Sequence, residues 1–379
     1  MSRASNNPRR KKRLHFWNRG TGIRLRLWMA FNVVVLSALS YGVYVLVQSN
    51  SGPSFAGFGR EENKPGITER LKNGSETQAI PARDSFLDPK GKHFGVSTFE
   101  APWSTDEIDK VAAAAGTRPT MVEYFVKWTE DFEPETVDAS YRQGMLPLLA
   151  WEPWAGKKAG VDQPAYSLDS IASGEHDAYI KQFAKGVAEH KWPIALRFAH
   201  EMNGDWYPWS EKRSGNKPGD YVKAWRHVHQ LFDEAGADNV IWLWSPNILR
   251  PVPDVSLKAL YPGKKYVDWV GMVGYAVEDK TASQVFDATL KALRKFTDQP
   301  VLITETGAQP GSRKAPWTSD FFTWLAKNPD VIGFVWFERS EEEGGGADWR
   351  FTSDAATTRA FKSGIGGIDL VSAAAGTSD

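Results

Sequence analysis

The chain has 379 residues, which is more than one small domain needs and suits a barrel-sized domain with additional segments. Its 46 basic and 46 acidic residues cancel, so no overall field favours nucleic acid and we expect no nucleic-acid partner. Cysteine is absent, which excludes disulfide bonds and thiolate chemistry and is compatible with any compartment.

The N-terminal segment is basic: it contains several Arg and Lys residues, and no acidic residue precedes Glu61. Leu27–Val47 is a run of 21 uncharged residues, long enough to cross a bilayer as a helix. A cleaved signal peptide is the alternative, but its apolar segment usually has only about 7–15 residues. We therefore predict a basic cytoplasmic tail over residues 1–26 and a single transmembrane signal-anchor helix over residues 27–47. The remainder would then be extracytoplasmic, either periplasmic or extracellular.

Two further segments have compositions that differ from a folded domain. Residues 48–91 are rich in Ser, Gly, Pro, Asn and charged residues and lack apolar periodicity, which predicts a linker that holds a domain off the membrane. Residues 363–379 are mostly small, so we predict a frayed C-terminal tail. The folded domain is expected over residues 92–362, as a monomer.

Residues 92–362 alternate between apolar runs of strand length and segments whose apolar residues have helical spacing. Ser104 and Glu107 form a capping-box pattern before the first helical segment. The predicted strands are His93–Phe99, Met121–Trp128, Leu146–Trp154, Pro193–Ala199, Asn239–Ser245, Val267–Tyr275, Pro300–Thr304 and Ile332–Phe337. The predicted helices are 108–115, 177–191, 221–235, 282–296 and 319–327, with shorter segments near 135–143, 256–261 and 357–363.

This alternation predicts an α/β fold, a (β/α)8 TIM barrel. Eight strands with intervening helices over about 270 residues match that barrel in both count and length. A doubly wound open sheet is the alternative, but no glycine-rich phosphate loop follows the first strand.

Two of the predicted strands each present a glutamate at the carboxyl end. The fourth strand leads into Glu201 and the seventh into Glu305. Strand ends 4 and 7 face each other across the mouth of a closed barrel, so these side chains can converge. Two carboxyl groups about 5–5.5 Å apart are the arrangement that cleaves a glycosidic bond with retention. Pairing of each glutamate with Arg or Lys is the structural alternative.

In the catalytic interpretation Glu305 is the nucleophile and Glu201 the acid/base. An ionised Glu305 would raise the pKa of Glu201 by like-charge repulsion and keep a proton available for the leaving oxygen. This double displacement requires the two carboxyl groups to lie close together and to be open to solvent.

Five other side chains are candidate substrate contacts, each with a structural alternative. His200 would form a hydrogen bond with a sugar hydroxyl or with the nucleophile, or it would pack in the core. Asn203 would contact the substrate, or it would form a turn before Gly204. The tyrosine would donate a hydrogen bond to Glu305. The tryptophans, drawn from 17 in the chain, would be sugar-stacking floors or core residues. These candidates are His200, Asn203, Trp206, Tyr275 and Trp336.

Four more acidic residues near strand ends are expected to be substrate contacts or salt-bridge partners: Glu123, Glu152, Glu338 and Asp348. No second histidine accompanies His200 at metal-ligand spacing, so we expect no catalytic metal and no other cofactor.

Three segments resemble known motifs of glycoside hydrolase family 26. His200-Glu-Met-Asn-Gly-Asp-Trp206 looks like its acid/base motif, Thr304-Glu-Thr-Gly307 is similar to its nucleophile strand, and Val335-Trp-Phe-Glu338 to its eighth strand. The resemblance covers about residues 90–362 and implies a (β/α)8 barrel that hydrolyses β-linked polysaccharides with retention. Most members are β-1,4-mannanases, and some are mixed-linkage β-glucanases or β-1,3-xylanases.

By position, the resemblance implies an acid/base at Glu201, a nucleophile at Glu305, and a cleavage subsite lined by His200, Tyr275, Trp206 and Trp336. The chain departs from many mannanases at Tyr207-Pro-Trp209, where they resemble Phe-Trp-Trp; this raises β-glucan beside β-mannan as the substrate. The resulting expectation is a membrane-anchored, exported retaining endo-β-glycosidase. The alternative is a catalytically inactive glycan-binding barrel.

Overall fold

The computed structural model describes residues 80–249 and 255–374. The predicted tail (1–26) and anchor (27–47) lie outside these residues, as does most of the predicted linker. Within the described ranges, no helix combines the length and hydrophobicity that crossing a membrane requires.

Eight parallel strands close into a barrel in chain order, with β1 paired to both β2 and β8. This arrangement confirms the predicted barrel and all eight predicted strands, with ends that differ by a few residues. The strands are β1 His93–Ser97, β2 Met121–Lys127, β3 Leu146–Glu152, β4 Ile194–Phe198, β5 Val240–Trp244, β6 Trp269–Val273, β7 Val301–Thr306 and β8 Val331–Phe337.

Helices connect the strands and form the layer around the barrel. They are α1 Asp84–Leu87, α2 Thr105–Ala115, α3 Pro134–Arg142, α4 Leu168–Ala172, α5 Asp177–His190, α6 Asp220–Ala235, α7 Leu257–Leu260, α8 Ala282–Leu293, α9 Lys314–Lys327 and α10 Ala355–Ile365. The sequence did not predict α1 or α4. Helix α9 begins five residues earlier than predicted, because Pro316 lies in its first turn, where the missing N–H has no intrahelical partner.

The capping box predicted before α2 is only half formed. The Glu107 N–H donates to Ser104 Oγ at 3.3 Å, as the pattern requires. The Glu107 carboxylate, however, accepts from the N–H of Glu100 at 2.9 Å. The acidic residue therefore fixes the loop between β1 and α2 rather than the helix start.

The segment before β1 packs beneath the amino ends of the strands. Arg83 Nε donates to the Val240 carbonyl at 2.7 Å, and the Trp269 indole N–H donates to the Leu87 carbonyl at 3.3 Å. Residues 83–91 are thus part of the folded domain, which corrects the predicted linker boundary at 91.

The C-terminal segment also packs at the amino end of the barrel. Leu370 forms a parallel bridge with Lys92, and the N–H of Ala374 donates to the Gly144 carbonyl at 2.9 Å. The frayed tail predicted from residue 363 is therefore wrong for the described residues up to 374, because these backbone bonds hold the segment against the barrel.

Most tryptophans pack in the core between the barrel and the helices. Six of them are fully buried: Trp151, Trp209, Trp225, Trp244, Trp269 and Trp336. These six tryptophans are therefore core residues and not sugar-stacking floors. Trp206 is half-buried.

His93 in β1 is a buried histidine without a hydrogen-bond partner. Its side chain is 2% exposed, neither ring nitrogen has a partner among the described residues, and its ring lies 5.7 Å from that of Trp269. Burial lowers the pKa of His93 to about 4, because the imidazolium would lose its hydration.

This lowered pKa makes stability depend on pH in a defined direction. Between pH 6.5 and 4 the unfolded chain binds a proton at His93 that the folded chain does not, so stability is complete above this range and falls as pH decreases through it. We expect His93→Phe to remove up to about 3 kcal/mol of this loss at pH 4. Denaturant unfolding of both proteins from pH 4 to 8 measures the difference; parallel pH profiles would contradict the assignment.

Candidate active site

The backbone turns sharply where β4 ends. Ala199 and Glu201 both have positive φ angles, 44° and 52°, in the left-handed region that non-glycine residues rarely occupy. The N–H of Glu201 donates to the Ser245 carbonyl at 2.7 Å, which fixes the turn to the end of β5. Backbone strain of this kind persists only when the surrounding structure enforces it, and it is frequent at functional sites.

Both carboxylate oxygens of Glu201 accept hydrogen bonds. The Trp206 indole N–H donates to Oε2 at 2.7 Å, and the Asn247 amide donates to Oε1. Burial, followed by the charge of Glu305, raises the pKa of Glu201 to about 7 against the opposing effects of Arg197 and the two donors. The expected like-charge effect is present, although burial is the larger cause.

Glu305 lies within β7 and is held by two donors. Arg197 Nη1 donates to Oε1 at 2.6 Å, and the Tyr275 hydroxyl donates to Oε2 at 2.8 Å, which is the hydrogen bond expected from the sequence. Burial and the charge of Glu305 raise the pKa of Tyr275 well above its usual value, so the phenol keeps the proton it donates. The β7 ladder is irregular toward both neighbouring strands, and such bulges re-aim side chains.

The charges of Glu201 and Glu305 interact with each other and with Arg197, which bonds Glu305 directly. The separation of about 5–5.5 Å between the two carboxyl groups stays a prediction. Both side chains are 0% exposed, so the expectation of solvent access is wrong for this structure. Trp206, which donates to Glu201, is half-buried and therefore reaches the protein surface beside that carboxylate.

Arg197 is the central residue that the sequence analysis missed. It is fully buried in β4, where Nη1 bonds both Glu123, at 2.8 Å, and Glu305, at 2.6 Å, while Nε donates to Ser245 Oγ at 3.0 Å. Burial opposes its charge, but the carboxylates of Glu305 and Glu123 outweigh that effect and raise the pKa of Arg197. The signal was available, because an arginine inside an apolar strand needs a buried acidic partner.

Glu123 and Glu152 end inside the barrel as buried carboxyl groups. Burial raises the pKa of each to about 8. Glu123 is the salt-bridge partner of Arg197, one of the two roles expected for it. Glu152 accepts from the Trp154 indole N–H at 3.2 Å.

His200 faces the β3 side of the mouth. Its Nε2 lies 3.0 Å from the Tyr207 hydroxyl and 3.9 Å from Glu152, and its Nδ1 has no partner among the described residues. Burial lowers the pKa of His200 well below its usual value, so the ring is neutral. Within the described residues His200 forms no hydrogen bond with Glu305. Its contact with a sugar hydroxyl stays a prediction.

Asn203 acts on the site through Asn247, which the sequence analysis also missed. Asn203 Nδ2 donates to the Asn247 carbonyl at 2.9 Å, and the Asn247 N–H donates to Asn203 Oδ1 at 2.8 Å. This reciprocal pair fixes the backbone of the residue whose amide bonds Glu201. The geometry therefore favours a positioning role for Asn203 over direct substrate contact.

Trp336 does not reach the mouth, which corrects its assignment as a sugar floor. Its ring is 0% exposed and contacts Trp317 and Phe321 of α9 and Phe361 of α10, so it points outward from β8. Its indole N–H donates to the Trp349 carbonyl at 3.0 Å. Trp336 thus supports the loop after β8 from outside.

Trp349 is the aromatic residue that this loop brings to the site. Its ring lies 4.7 Å from that of Tyr275, and its indole N–H donates to the Gly345 carbonyl at 2.6 Å. Glu338 braces the same loop by accepting the N–H groups of Phe351 and Thr352 at 2.9 and 3.2 Å.

Asp348, in the same loop, pairs with Arg350 at 2.7 Å. Asp348 is therefore a salt-bridge partner, one of the two roles expected for it. Glu338 forms no salt bridge among the described residues and accepts from backbone N–H groups instead.

A family model described as glycosyl hydrolase family 26 matches residues 147–313, a range that contains both glutamates. Over these residues, a little under half of the chain, the sequence is similar to this family. Over 302 residues it is 29% identical to Endoglucanase H from Acetivibrio thermocellus, covering 72% of this chain and 32% of that protein. It is 24% identical over 271 residues to Beta-1,3-xylanase TXYA from a Vibrio species, covering 64% of this chain and 55% of the relative.

Solved structures support the family 26 fold. The GH26 beta-mannanase BoMan26A from Bacteroides ovatus is similar with a TM-score of 0.57 at 19% identity, covering 76% of this chain and 92% of that one. The chain spans 32% and 55% of the length of the two relatives named above, so it corresponds to part of each.

The described residues contain no group of three or more His, Cys, Asp or Glu side chains arranged to hold a metal ion. The acidic residues of the mouth pair with arginine, amide, phenol and indole donors.

The different positions of Trp336 and Trp349 give a direct test. We expect Trp336→Ala to lower the free energy of unfolding by about 3–5 kcal/mol through loss of core packing. The folded fraction of the Trp336→Ala protein should keep the wild-type affinity for glycan. We expect Trp349→Ala to weaken glycan binding about tenfold or more, because the buried Trp349 ring packs against Tyr275, which bonds Glu305. Denaturant unfolding and affinity electrophoresis on β-glucan and mannan measure both; weaker binding in the Trp336 variant alone would reverse the assignment.

Proposed function

We propose that this protein is a retaining endo-β-glycosidase that hydrolyses a β-linked polysaccharide, β-mannan or β-glucan, by double displacement. The observation that supports it most directly is the contrast between the two glutamates. Glu305 accepts from a guanidinium and a phenol, which favours a carboxylate, whereas burial and that carboxylate raise the pKa of Glu201 to about 7. One group suits attack and the other suits proton delivery.

In the first step Glu305 attacks the anomeric carbon while Glu201 gives its proton to the leaving oxygen. The Glu305 charge is lost as the glycosyl–enzyme bond forms, and the Arg197 and Tyr275 donors readjust to the ester. In the second step Glu201, now a carboxylate, removes a proton from water, and that water releases the sugar from Glu305. Asn247 and Trp206 stabilise the Glu201 carboxylate between the two steps.

The substrate class is supported by the relatives, which are named as an endoglucanase, a beta-1,3-xylanase and a beta-mannanase. The departure at Tyr207 and Trp209 bears on packing more than on sugar contact. Both residues are buried, their rings stack 4.2 Å apart, and the Trp209 indole N–H donates to the His200 carbonyl at 2.5 Å. This departure would change the substrate through the position of His200.

The membrane anchor and export are part of the same proposal. They are supported by the basic residues 1–26 and the uncharged run 27–47. Alkaline phosphatase fused after residue 60 should be active when 27–47 is present and inactive when it is deleted, because the reporter folds only after export. Equal activity of the two fusions would remove the anchor from the proposal.

A catalytically inactive glycan-binding barrel is the second candidate. The observation that favours it is the complete burial of Glu201 and Glu305. Turnover requires Trp206 or its neighbours at the mouth to move aside when glycan binds, whereas simple binding does not.

Glutamate substitutions distinguish the two candidates. We expect the wild-type chain to release reducing ends from mannan or mixed-linkage glucan, and Glu305→Gln to lower the rate by at least about a thousandfold because the nucleophile is lost. Glu338→Gln, a buried glutamate that braces a loop, is the matched control and should keep measurable turnover. Glycan binding without release of reducing ends by the wild-type protein would favour the inactive barrel.

The acid role of Glu201 predicts a dependence on the leaving group. Glu201→Gln should lower turnover of polysaccharides by about 10²–10⁴-fold, because their leaving oxygen needs a proton. Aryl glycosides with good leaving groups should be affected far less in their first step, measured as the burst of released phenol. An equal loss on both substrates would contradict the acid role.

The pKa of Glu201 also predicts the alkaline side of the pH–rate profile. Glu201 must be protonated to act as the acid, so kcat/KM should fall as pH rises through about 7. Asn247→Ala removes a donor that favours the carboxylate, so this limb should move to higher pH. A limb that stays in place or moves to lower pH would show that Asn247 does not act on Glu201 in this way.

A further inference from the structure

We propose that Arg339 binds a carboxylate of the polysaccharide, so that the mouth of the barrel contains a subsite for an acidic sugar ring, such as a uronic acid, close to the nucleophile. This inference rests on the proposed function and adds a chemical class to its substrate.

Arg339 is held rigidly inside the mouth. It follows β8 by two residues and is 5% exposed. Its guanidinium carbon lies 5.5 Å from the ring centroid of Phe125 on β2 and 5.3 Å from that of Phe337 on β8. Two aromatic rings thus fix the flat group, so little conformational entropy is lost when a ligand binds.

The guanidinium is poorly satisfied within the described residues. Nη2 donates to Ser97 Oγ at a long 3.4 Å, and the buried Nε has no partner. No described carboxylate forms an ion pair with it, whereas Arg197 pairs with both Glu123 and Glu305. A buried guanidinium without an acidic partner is costly, and a carboxylate on a ligand would offset that cost.

Arg339 is also tied to the catalytic pair. Its carbonyl accepts from the N–H of Trp349 at 3.0 Å, and the Trp349 ring lies 4.7 Å from Tyr275, which bonds Glu305. A sugar ring near Trp349 would therefore bring its substituents toward Arg339.

The local charge favours an acidic ligand. Arg197 and Arg339 both interact with Glu123 and Glu305. Both of these carboxylates form ion pairs with Arg197, so Arg339 has no ion-pair partner of its own among the described residues. A carboxylate matches the guanidinium fork better than a hydroxyl group does, because two parallel charge-assisted hydrogen bonds form.

The experiment compares polymers that differ only in this charge. The full-length chain, purified in detergent, is assayed on barley mixed-linkage glucan and konjac glucomannan, each native and partly oxidised at C6 to the uronate. For the wild type we expect a ratio of kcat/KM, oxidised over native, above one and falling with added salt. Arg339→Met should lower this ratio about tenfold to a hundredfold, and Arg339→Lys less, because a point charge lacks the fork.

Arg118→Met is the matched control, since Arg118 is exposed and pairs with Asp109 on the outer surface; its ratio should equal that of the wild type. A wild-type ratio of one or less, or a ratio that Arg339→Met leaves unchanged, overturns the inference. Equal losses on native and oxidised polymers in both Arg339 variants also overturn it, since they indicate a structural role.

A binding assay distinguishes failure of the proposed function from failure of the acidic subsite. If the wild type cleaves none of the polymers, the same variants are compared by affinity electrophoresis in gels containing native or oxidised polymer. Retention by oxidised polymer that is lost in Arg339→Met supports the acidic subsite without hydrolysis. Retention that is equal in the wild type and Arg339→Met overturns it, as does no retention at all.

Discussion

One buried guanidinium organises the centre of this barrel. Arg197 Nη1 contacts carboxylates from β2 and β7, and all three side chains are inaccessible to solvent. Taking such charges out of water costs several kcal/mol each, so the arrangement persists only because every partner is held in place. Removal of one member would leave an uncompensated charge in the core. The position of Glu305 is therefore fixed by the same interactions that keep the barrel interior electrically balanced.

The carboxyl ends of the strands show how the fold positions its polar groups. Glu201 sits on a left-handed turn after β4, and Glu305 lies where the β7 ladder is irregular on both sides. A regular strand would send successive side chains to alternate faces, so these irregularities set the directions of the two carboxylates. The reciprocal bonds between Asn203 and Asn247 then hold a neutral donor against Glu201. Strain and hydrogen bonding thus act together to give two identical side chains different environments.

The fold and the central pair could be predicted because they depend on local patterns. Apolar runs, their spacing and the residue at each strand end indicated eight strands, Glu201, Glu305 and the bond from Tyr275. The face of Trp336 could not be predicted, since β8 is apolar and buried along its whole length, so its sequence does not show which residues point inward. Asn247 and Trp349 lie in loops, whose paths depend on tertiary contacts. The complete burial of both carboxylates depends on side chains from several strands and loops, so it too required the structure.

The packing of both described terminal segments beneath the barrel separates two tasks in space. Arg83, Leu87 and Lys92 bond the amino ends of strands or the C-terminal segment. The carboxyl ends of the same strands carry Glu201 and Glu305. Stability is thus secured at one end of the sheet and chemistry is placed at the other, so loops at the carboxyl ends can vary without loosening the closure of the chain ends.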